Sequence, residues 1–136
     1  MDEASARAAV QHYLEHSAAD DEEGASSIYH PDAVLEFPQS GERFEGVANF
    51  LPWRKDYPAT SIDYELDRVR GAGDVWVAEL RLRYDGGPWM YGVDVLEFRD
   101  GKVARETIYG GEAWEAPEWR ARWRAAPAHA EAPPPG

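Results

Sequence analysis

Two acidic residues on consecutive stretches of the chain could do acid–base chemistry together. Asp94 lies among Met90–Phe98, whose alternate residues are otherwise apolar, and Glu106 alternates with Ala104 and Ile108 in the next stretch. Burying an ionised carboxylate is costly unless it is paired, so such a group is either partnered or protonated. Two carboxyl groups in one low-dielectric site push their pKa values apart, which suits acid–base catalysis.

Both acids also have structural interpretations, and alternation alone leaves them open. Asp94 could cap a strand irregularity or pair with a nearby arginine, whereas a protonated Asp94 in an apolar pocket could donate a hydrogen bond to a developing oxyanion. Glu106 is either a second inward carboxylate close to Asp94 or a partner for the neighbours of Arg105 at a sheet edge. In the first case it is the most plausible general base.

Other reactive side chains carry weaker signals. His12 and His16 are four apart on a predicted helix, a spacing that can bind a metal, but no suitable third ligand lies near them in the sequence. His30 precedes a proline and suits a local cap. Ser26 and Ser27 have no Gly-x-Ser-x-Gly elbow, and no glycine loop cradles a phosphate. We therefore expect no metal and no cofactor.

Composition restricts the possible partners. The chain of 136 residues suits one domain, and a formal net charge of −12 disfavours nucleic acid and anionic membrane surfaces. The absence of cysteine excludes disulfides and thiolate chemistry. The charged N-terminus lacks an apolar signal core, and no apolar stretch approaches the ~20 residues that span a bilayer, so the expected location is the cytoplasm.

The elements that must position these residues follow from periodicity. Helical spacing predicts a helix over Ala4–Ser17, a second over Asp21–Tyr29 that ends at His30-Pro31, and a third, short or kinked at Pro52, over Val47–Asp56. Period-two patterns predict strands over Ala33–Phe37, Arg43–Gly46, Ile62–Arg70, Val75–Tyr84, Trp89–Arg99 and Lys102–Tyr109. A helical turn is expected over Pro117–Arg124.

Helices followed by a meander indicate an α+β fold with the helices on one face of an antiparallel sheet. Asp-Gly at Asp85-Gly86 and Asp100-Gly101 marks two of the hairpins. The domain is expected to span residues 1–124. Residues 125–136, rich in alanine and proline, form a tail that we expect to be flexible.

With the helices, the meander and Asp94 placed, the chain resembles the nuclear-transport-factor-2-like superfamily, which includes SnoaL-like polyketide cyclases and ketosteroid isomerases. The similarity covers roughly residues 5–124. It is carried by VQHYLEH, IYHPDAVLEFP, RFEGVANF, GVDVLEFRDGKV and ETIYGGEAWEAPEWR. The resemblance implies a cystatin-like cone, a curved antiparallel sheet wrapped on the N-terminal helices around one pocket.

Part of the ketosteroid-isomerase pattern carries over. Its oxyanion-hole tyrosine is similar to Tyr13, its supporting tyrosine to Tyr29, and its protonated oxyanion-hole aspartate to Asp94. Other positions depart from the pattern. The general-base aspartate falls at Phe37, beside an outward Glu36; the third network tyrosine falls at or near Arg54; and the acid that related cyclases and epoxide hydrolases use falls at Ile108.

The resemblance leads to three hypotheses. In the first, the protein is an isomerase, cyclase or hydrolase that holds a small hydrophobic carbonyl compound, with Tyr13 and Asp94 donating to its oxygen. In the second, it is a binding module without catalysis. In the third, it is a structural dimer with a filled cone. The pocket is expected to be lined by Phe37, Phe44, Leu51, Trp76, Leu80, Tyr84, Met90, Leu96, Ile108 and Trp114. A homodimer is expected through the outer sheet face, at Val75, Val77, Tyr91, Val93 and Val95.

Overall fold

Across residues 1–127, which the computed structural model describes, a six-stranded sheet packs against helices on one face. The helices are α1 (Glu3–Ala18), α2 (Glu22–Ala25) and α3 (Val47–Lys55), with 3₁₀ segments at Ser26–Ile28 and Glu118–Trp123. The strands are β1 (Tyr29–Phe37), β2 (Glu42–Glu45), β3 (Ile62–Ala72), β4 (Val75–Tyr84), β5 (Met90–Arg99) and β6 (Lys102–Glu112).

The sheet is curved and does not close, with the strand order β2-β1-β6-β5-β4-β3. All neighbouring strands are antiparallel except β1 and β6, which are parallel. The parallel pair arises because the meander β3 to β6 returns beside β1 in the same direction. The expected α+β architecture is confirmed, with this one parallel pair added to an otherwise antiparallel sheet.

The entrance to β1 differs from the sequence prediction. The helix expected over Asp21–Tyr29 ends as α2 at Ala25, and Tyr29 already belongs to β1, where it pairs with Val103. The register shifts between Tyr29 and Val34, so Pro31 lies in an irregular part of the strand. Proline has no N–H to donate to a neighbouring strand, and it is tolerated at this position because the regular hydrogen-bond ladder is interrupted there.

Aspartates begin both N-terminal helices. The Asp2 side chain accepts a hydrogen bond from the backbone N–H of Ser5 at 2.8 Å, and Asp21 accepts from Gly24 N–H at 2.9 Å. Each satisfies a backbone donor that has no partner within its helix. The caps fix where α1 and α2 begin, and thus where Tyr13 on α1 lies relative to the sheet.

The two Asp-Gly turns have the backbone that the sequence predicts. Asp85 and Gly86 have φ values of 52° and 69°, and Asp100 and Gly101 have 52° and 81°. Two successive residues with positive φ match the twist of a two-stranded hairpin. The β5–β6 turn therefore sets the register that brings Asp94 and Glu106 to the same face.

The core lies between the helices and the inner face of the sheet. The expected alternation on β4 is confirmed, because Trp76, Ala78 and Leu80 are buried. The largest fully buried side chains are Phe50, Leu35, Leu96, Val69 and Val103. Burial of this apolar surface is the main favourable contribution to folding.

Two sequence predictions concern the termini and the membrane. Residues 128–136 of the expected tail lie outside the described residues. Within residues 1–127, no helix combines the length and the apolarity that crossing a bilayer would require.

Leu35 offers a test of the core. Its side chain is 0% exposed at the centre of β1, so we expect Leu35→Ala to lower the free energy of unfolding by about 2–5 kcal/mol. Urea denaturation followed by circular dichroism measures the change. The control is Gln11→Ala, at an exposed residue of α1, for which we expect a change within about 0.5 kcal/mol. Equal losses in the two variants would contradict this location of the core.

Candidate active site

Two carboxyl groups meet on the inner face of the sheet. Asp94 on β5 pairs across the ladder with Ile108, and Leu96 pairs with Glu106, so Asp94 and Glu106 are diagonal neighbours on one face. Their side chains are hydrogen-bonded to each other and both line an internal cavity. Glu106 is only 5% exposed, whereas Asp94 is more accessible, and its accessible surface faces the cavity. The inward placement of Glu106 excludes a partnership at the sheet edge.

The pKa of Asp94 is raised well above that of an ordinary aspartate. Burial is the largest cause, and the negative charge of Glu106 raises the pKa further, while Arg54 opposes both. The raised pKa favours the protonated form of Asp94, which can donate a hydrogen bond to Glu106. A carboxyl pair that holds one proton is a feature of many acid–base sites.

Two side chains from other elements also approach Glu106. The phenolic O–H of Tyr29 donates a hydrogen bond to Glu106 Oε1, and Arg54 Nη2 lies 3.8 Å from the same oxygen. Burial raises the pKa of Tyr29, so the phenol keeps its proton and remains a donor. The Tyr29 hydroxyl thus contacts Glu106, whereas only its ring contacts Tyr13, the expected partner, edge-on with centroids 6.2 Å apart.

Arg54 reaches the site from α3 beneath a set of aromatic rings. Its Nη1 donates to Tyr29 Oη at 3.1 Å, and its guanidinium carbon lies 4.9 Å from the Tyr13 ring centroid and 5.0 Å from that of Phe50. Burial alone would lower the pKa of Arg54, but Tyr29, Tyr13 and Glu106 raise it overall, so the side chain is charged.

Sequence reasoning treated Arg54 only as a departure from the ketosteroid-isomerase pattern. The available signal was its position four residues after Phe50, which places a cation on the apolar face of a helix.

The cavity has a volume of about 340 Å³ and is enclosed mainly by apolar side chains. Nine of the predicted site residues line it: Tyr13, Phe37, Leu80, Tyr84, Met90, Asp94, Leu96, Glu106 and Ile108. A more open apolar groove adjoins it, where the rings of Phe37, Phe44 and Trp53 pack with centroids 5.3–6.3 Å apart. Phe44 therefore belongs to this groove and not to the inner cavity.

Three predicted lining residues lie elsewhere. Trp76 is buried in the core, and its indole N–H donates to Gly73 carbonyl oxygen at 2.9 Å, which holds the ring at the β3–β4 turn. Leu51 is half-buried on α3, about 100° around the helix from Phe50, and does not reach the cavity. Trp114 follows β6 and is 82% exposed.

Tyr13 lines the cavity with its hydroxyl directed at another acid. Its Oη donates to Glu22 Oε2 at 3.4 Å, a long and weak hydrogen bond, while Ser17 Oγ donates to Glu22 Oε1 at 2.5 Å. Burial raises the pKa of Tyr13, which keeps its phenol neutral. A neutral phenol with a weak partner can still turn its O–H toward a ligand oxygen.

The usual base positions of the ketosteroid-isomerase pattern are apolar inside the cavity. Phe37 and Ile108 both line it, whereas Glu36 lies on the opposite face of β1, within ion-pair distance of Arg105 and Arg43. The outward direction expected for Glu36 is confirmed. In the described chain the carboxyl groups that line the cavity are Asp94 and Glu106 at its base, with Asp20 and Glu22 nearer α1 and α2.

The histidine pair on α1 is held by local partners. His12 Nε2 lies 2.8 Å from Gly24 carbonyl oxygen, and His16 Nδ1 lies 2.8 Å from Asp21 Oδ2. Among residues 1–127, no group of three or more histidine, aspartate or glutamate side chains is arranged to hold a metal ion. The pair thus joins α1 to α2.

Comparison with known proteins finds the same fold and one sequence family. The family model of the SnoaL-like domain matches residues 10–106. An NTF2-like protein of unknown function from Burkholderia xenovorans is 37% identical, with a TM-score of 0.80 over 90% of this chain and 95% of that chain. A candidate ketosteroid isomerase from Kribbella flavida is 28% identical, with a TM-score of 0.78 over 93% of each chain.

A less similar solved structure carries a name that indicates a different reaction. A candidate polyketide cyclase from Sinorhizobium meliloti is 26% identical, with a TM-score of 0.61 over 74% of this chain and 93% of that chain. No curated protein matches the sequence significantly. These similar proteins share one fold but carry the names of different enzymes, so the fold alone does not identify the reaction, and function must be argued from the site.

The raised pKa of Asp94 predicts a pH-dependent cost in stability. Because the pKa of this carboxyl is higher in the folded protein than the value of about 3.9 in the unfolded chain, its contribution to stability is most favourable at low pH and declines as pH rises toward the folded pKa. The side chain of asparagine does not titrate in this range and can donate an N–H to Glu106. We expect Asp94→Asn to gain stability relative to the native protein as pH rises above about 4.

Urea unfolding at a series of pH values measures this difference. The control is Asp63→Asn, on the outer face and paired with Arg83 at 2.8 Å, which should show no such gain. A stability difference between Asp94→Asn and native protein that stays constant with pH would mean that Asp94 is ionised in the folded state.

Proposed function

Because the chain belongs to the SnoaL-like domain family of the nuclear-transport-factor-2-like superfamily, we propose that it is a cofactor-independent acid–base enzyme acting on a small hydrophobic carbonyl compound. One observation carries the proposal: Asp94 faces an apolar cavity, and its side chain is hydrogen-bonded to the carboxyl group of Glu106. Perturbed carboxyl groups of this kind concentrate at catalytic sites.

The carboxyl pair can act as both acid and base through one residue. When the shared proton is on Asp94, this residue is an acid directed at the cavity. When the proton shifts to Glu106, the ionised Asp94 is a base at the same place. Tyr29 is hydrogen-bonded to Glu106, and Arg54 Nη2 lies 3.8 Å from the same carboxyl oxygen. Because Asp94 is the more accessible of the two carboxyl groups, it is the one that meets the reacting carbon, and Glu106 acts as its proton partner.

The proposed reaction is a proton shift next to a carbonyl group. Asp94, with the shared proton on Glu106, removes a proton from the carbon beside the carbonyl, and the electron pair of that C–H bond forms an enolate. The enolate oxygen accepts a hydrogen bond, for which Tyr13 lies in the cavity wall. Asp94 then returns the proton to the same carbon or to a conjugated one, so no oxidant, reductant or cofactor is consumed.

The cavity walls support an apolar ligand. Leu80, Met90, Leu96 and Ile108 enclose the space next to Asp94, and ligand sites are typically apolar with few polar groups. A medium of low polarity strengthens a hydrogen bond to a developing oxyanion, and one such donor can contribute about 2.7–4 kcal/mol to catalysis.

A non-catalytic binding module is the second candidate. It is favoured by Phe37 and Ile108, which place apolar groups in the cavity where the ketosteroid-isomerase pattern and related enzymes carry acids. On this alternative, Asp94 would hydrogen-bond a ligand oxygen without moving a proton.

Hydrogen–deuterium exchange distinguishes the two candidates. A panel of mono- and bicyclic apolar ketones is incubated with the protein in D₂O, and loss of the α-proton signals is followed by NMR. We expect exchange above the buffer rate, reduced about 100-fold or more in Asp94→Ala, because general acid–base catalysis contributes 10²–10⁴-fold.

The matched control is Glu97→Ala, on the same strand but half-exposed on the outer face, which should exchange at the native rate. Ketone binding without exchange in the native protein would favour the binding module. Exchange that survives in Asp94→Ala would rule out the proposed acid–base role.

We also propose that the outer sheet face forms a homodimer interface. The side chains of Val75, Tyr91, Val93 and Tyr109 are 37–47% exposed, and Val93 pairs with Tyr109 across β5 and β6. Contiguous exposed apolar surface of this kind often marks an interface.

We expect light scattering to give the mass of two chains for the native protein and of one chain for Val93→Asp, because a buried unpaired charge opposes association. Ala8→Asp, on an exposed position of α1, should remain a dimer. A native protein with the mass of a single chain would contradict the interface.

A further inference from the structure

The guanidinium of Arg54 is a buried cation with few partners. Its side chain is 9% exposed and lines the cavity. Nη1 donates to Tyr29 Oη at 3.1 Å, and Nη2 lies 3.8 Å from Glu106 Oε1, beyond hydrogen-bond range. A guanidinium has five N–H donors, so within residues 1–127 most of those of Arg54 lack a protein acceptor. The described buried polar atoms without a partner include none of Arg54, so its unpaired N–H groups keep accessible surface, and at the cavity wall a ligand can accept hydrogen bonds from them.

The charges around the cavity base sum to zero when the carboxyl pair holds one proton. Arg54 contributes one positive charge, Glu106 one negative charge, and the protonated Asp94 none. Tyr13 and Tyr29 are neutral because burial raises their pKa values.

The other charged groups lie toward the rim and are already engaged. Glu22 accepts hydrogen bonds from Tyr13 and Ser17, and Lys55 Nζ lies 2.5 Å from Glu23 Oε1. Asp20 on the α1–α2 connection is exposed. On β4, Tyr84 has a pKa raised by burial to about 12, so it is neutral too. Arg54 is therefore the cation through which the inner cavity can compensate a negative ligand.

We infer that Arg54 is the counter-charge for an anionic oxygen of the ligand, and that the cavity takes organic anions of the phenolate or enolate type together with one proton. This inference rests on the proposed function, since it assigns the charge partner of the same ligand oxygen. It also goes further, because it defines the ligand class by charge and predicts a proton count on binding.

The proton and charge balance is complete without any other reactant. When an anion enters from solution, one solvent proton binds Glu106, and both carboxyl groups become neutral. Arg54, held only loosely by Glu106 at 3.8 Å, then pairs with the ligand oxygen. The buried charge is zero before and after binding. When the ligand enters as a neutral phenol, its own proton moves to Glu106, and no proton is taken from solvent.

The same exchange of partners explains why an arginine suits the proposed reaction. During proton removal the negative charge moves from the carboxyl pair to the enolate oxygen. A fixed cation beside both positions stabilises the charge before and after the transfer, without rearrangement of the site. A tyrosine at position 54 could donate a hydrogen bond but would not carry this charge.

The test uses 4-nitrophenol above its pKa, where it is an anion in solution, and unsubstituted phenol at the same pH, where it is neutral. Calorimetry in two buffers of different ionisation enthalpy counts the protons taken up, and absorption spectra report whether the bound probe is a phenolate. For the native protein we expect uptake of one proton per 4-nitrophenolate, none per phenol, and a phenolate spectrum for both bound probes.

Arg54→Met should weaken 4-nitrophenolate binding about 10- to 100-fold, the loss expected for hydrogen bonds to a charged group. Its proton uptake should fall below one, because a carboxyl pair without its cation acquires the second proton before the ligand arrives. Arg54→Lys keeps the charge and should retain more of the affinity. The matched control is Arg99→Met, which removes a half-exposed cation paired with Asp32 at 3.0 Å and should change affinity by less than about threefold.

The outcomes separate this inference from the proposed function. Binding without proton uptake, equally strong in Arg54→Met but weakened in Asp94→Ala, would overturn the role of Arg54 and leave the acid–base role of Asp94 standing. No binding of either probe by the native protein would overturn both. If Arg54→Met does not fold, as judged by circular dichroism, the proton count of the native protein decides alone, and a count of zero for 4-nitrophenolate rejects the inference.

Discussion

One hydrogen bond between two carboxyl groups, Asp94 and Glu106, sets the charge of the cavity. Burial and the charge of Glu106 raise the pKa of Asp94, and Arg54 opposes them only in part. One proton on the pair is therefore favoured, and our account of the site follows from which oxygen carries it. Tyr29 and Arg54 favour the negative charge on Glu106, which leaves the proton on the residue that faces the ligand.

The fold brings the two acids together, and the remaining core compensates for the stability lost by burying them. The antiparallel register of β5 and β6 makes the two acids diagonal neighbours, and α3 delivers Arg54 beneath the rings of Tyr13 and Phe50. A neutral carboxyl, a buried cation and an apolar cavity all reduce stability relative to a filled apolar core. Proteins tolerate such losses at functional sites because the remaining core provides enough stability.

The sequence predicted the parts of the site that depend on local periodicity. Alternation alone placed Asp94 on the inner face and gave Glu106 as one of two possibilities, and the Asp-Gly turns are those that the hairpins require. Periodicity predicts which face of the sheet a side chain is on, but not how far along the strand it lies from the cavity. For this reason Trp76 was expected to line the cavity, although it lies at the β3–β4 turn. The partner of Tyr29 lies 77 residues away in the chain, so its hydrogen bond to Glu106 could be recognised only once β1 and β6 were known to be adjacent.

Arg54 was missed as a functional group because its importance comes from contacts with α1, β1 and β6 together.

The protonation of Asp94 is the central claim, and a carboxyl-carbon NMR titration of the ¹³C-labelled protein tests it most directly. Asp32, exposed and paired with Arg99, provides an internal reference whose pKa lies below the usual aspartate range. Our account predicts that Asp94 keeps the chemical shift of a protonated acid up to neutral pH, long after Asp32 has ionised. An Asp94 signal that titrates near pH 4, as an ordinary aspartate does, would contradict the shared proton and the chemistry inferred from it.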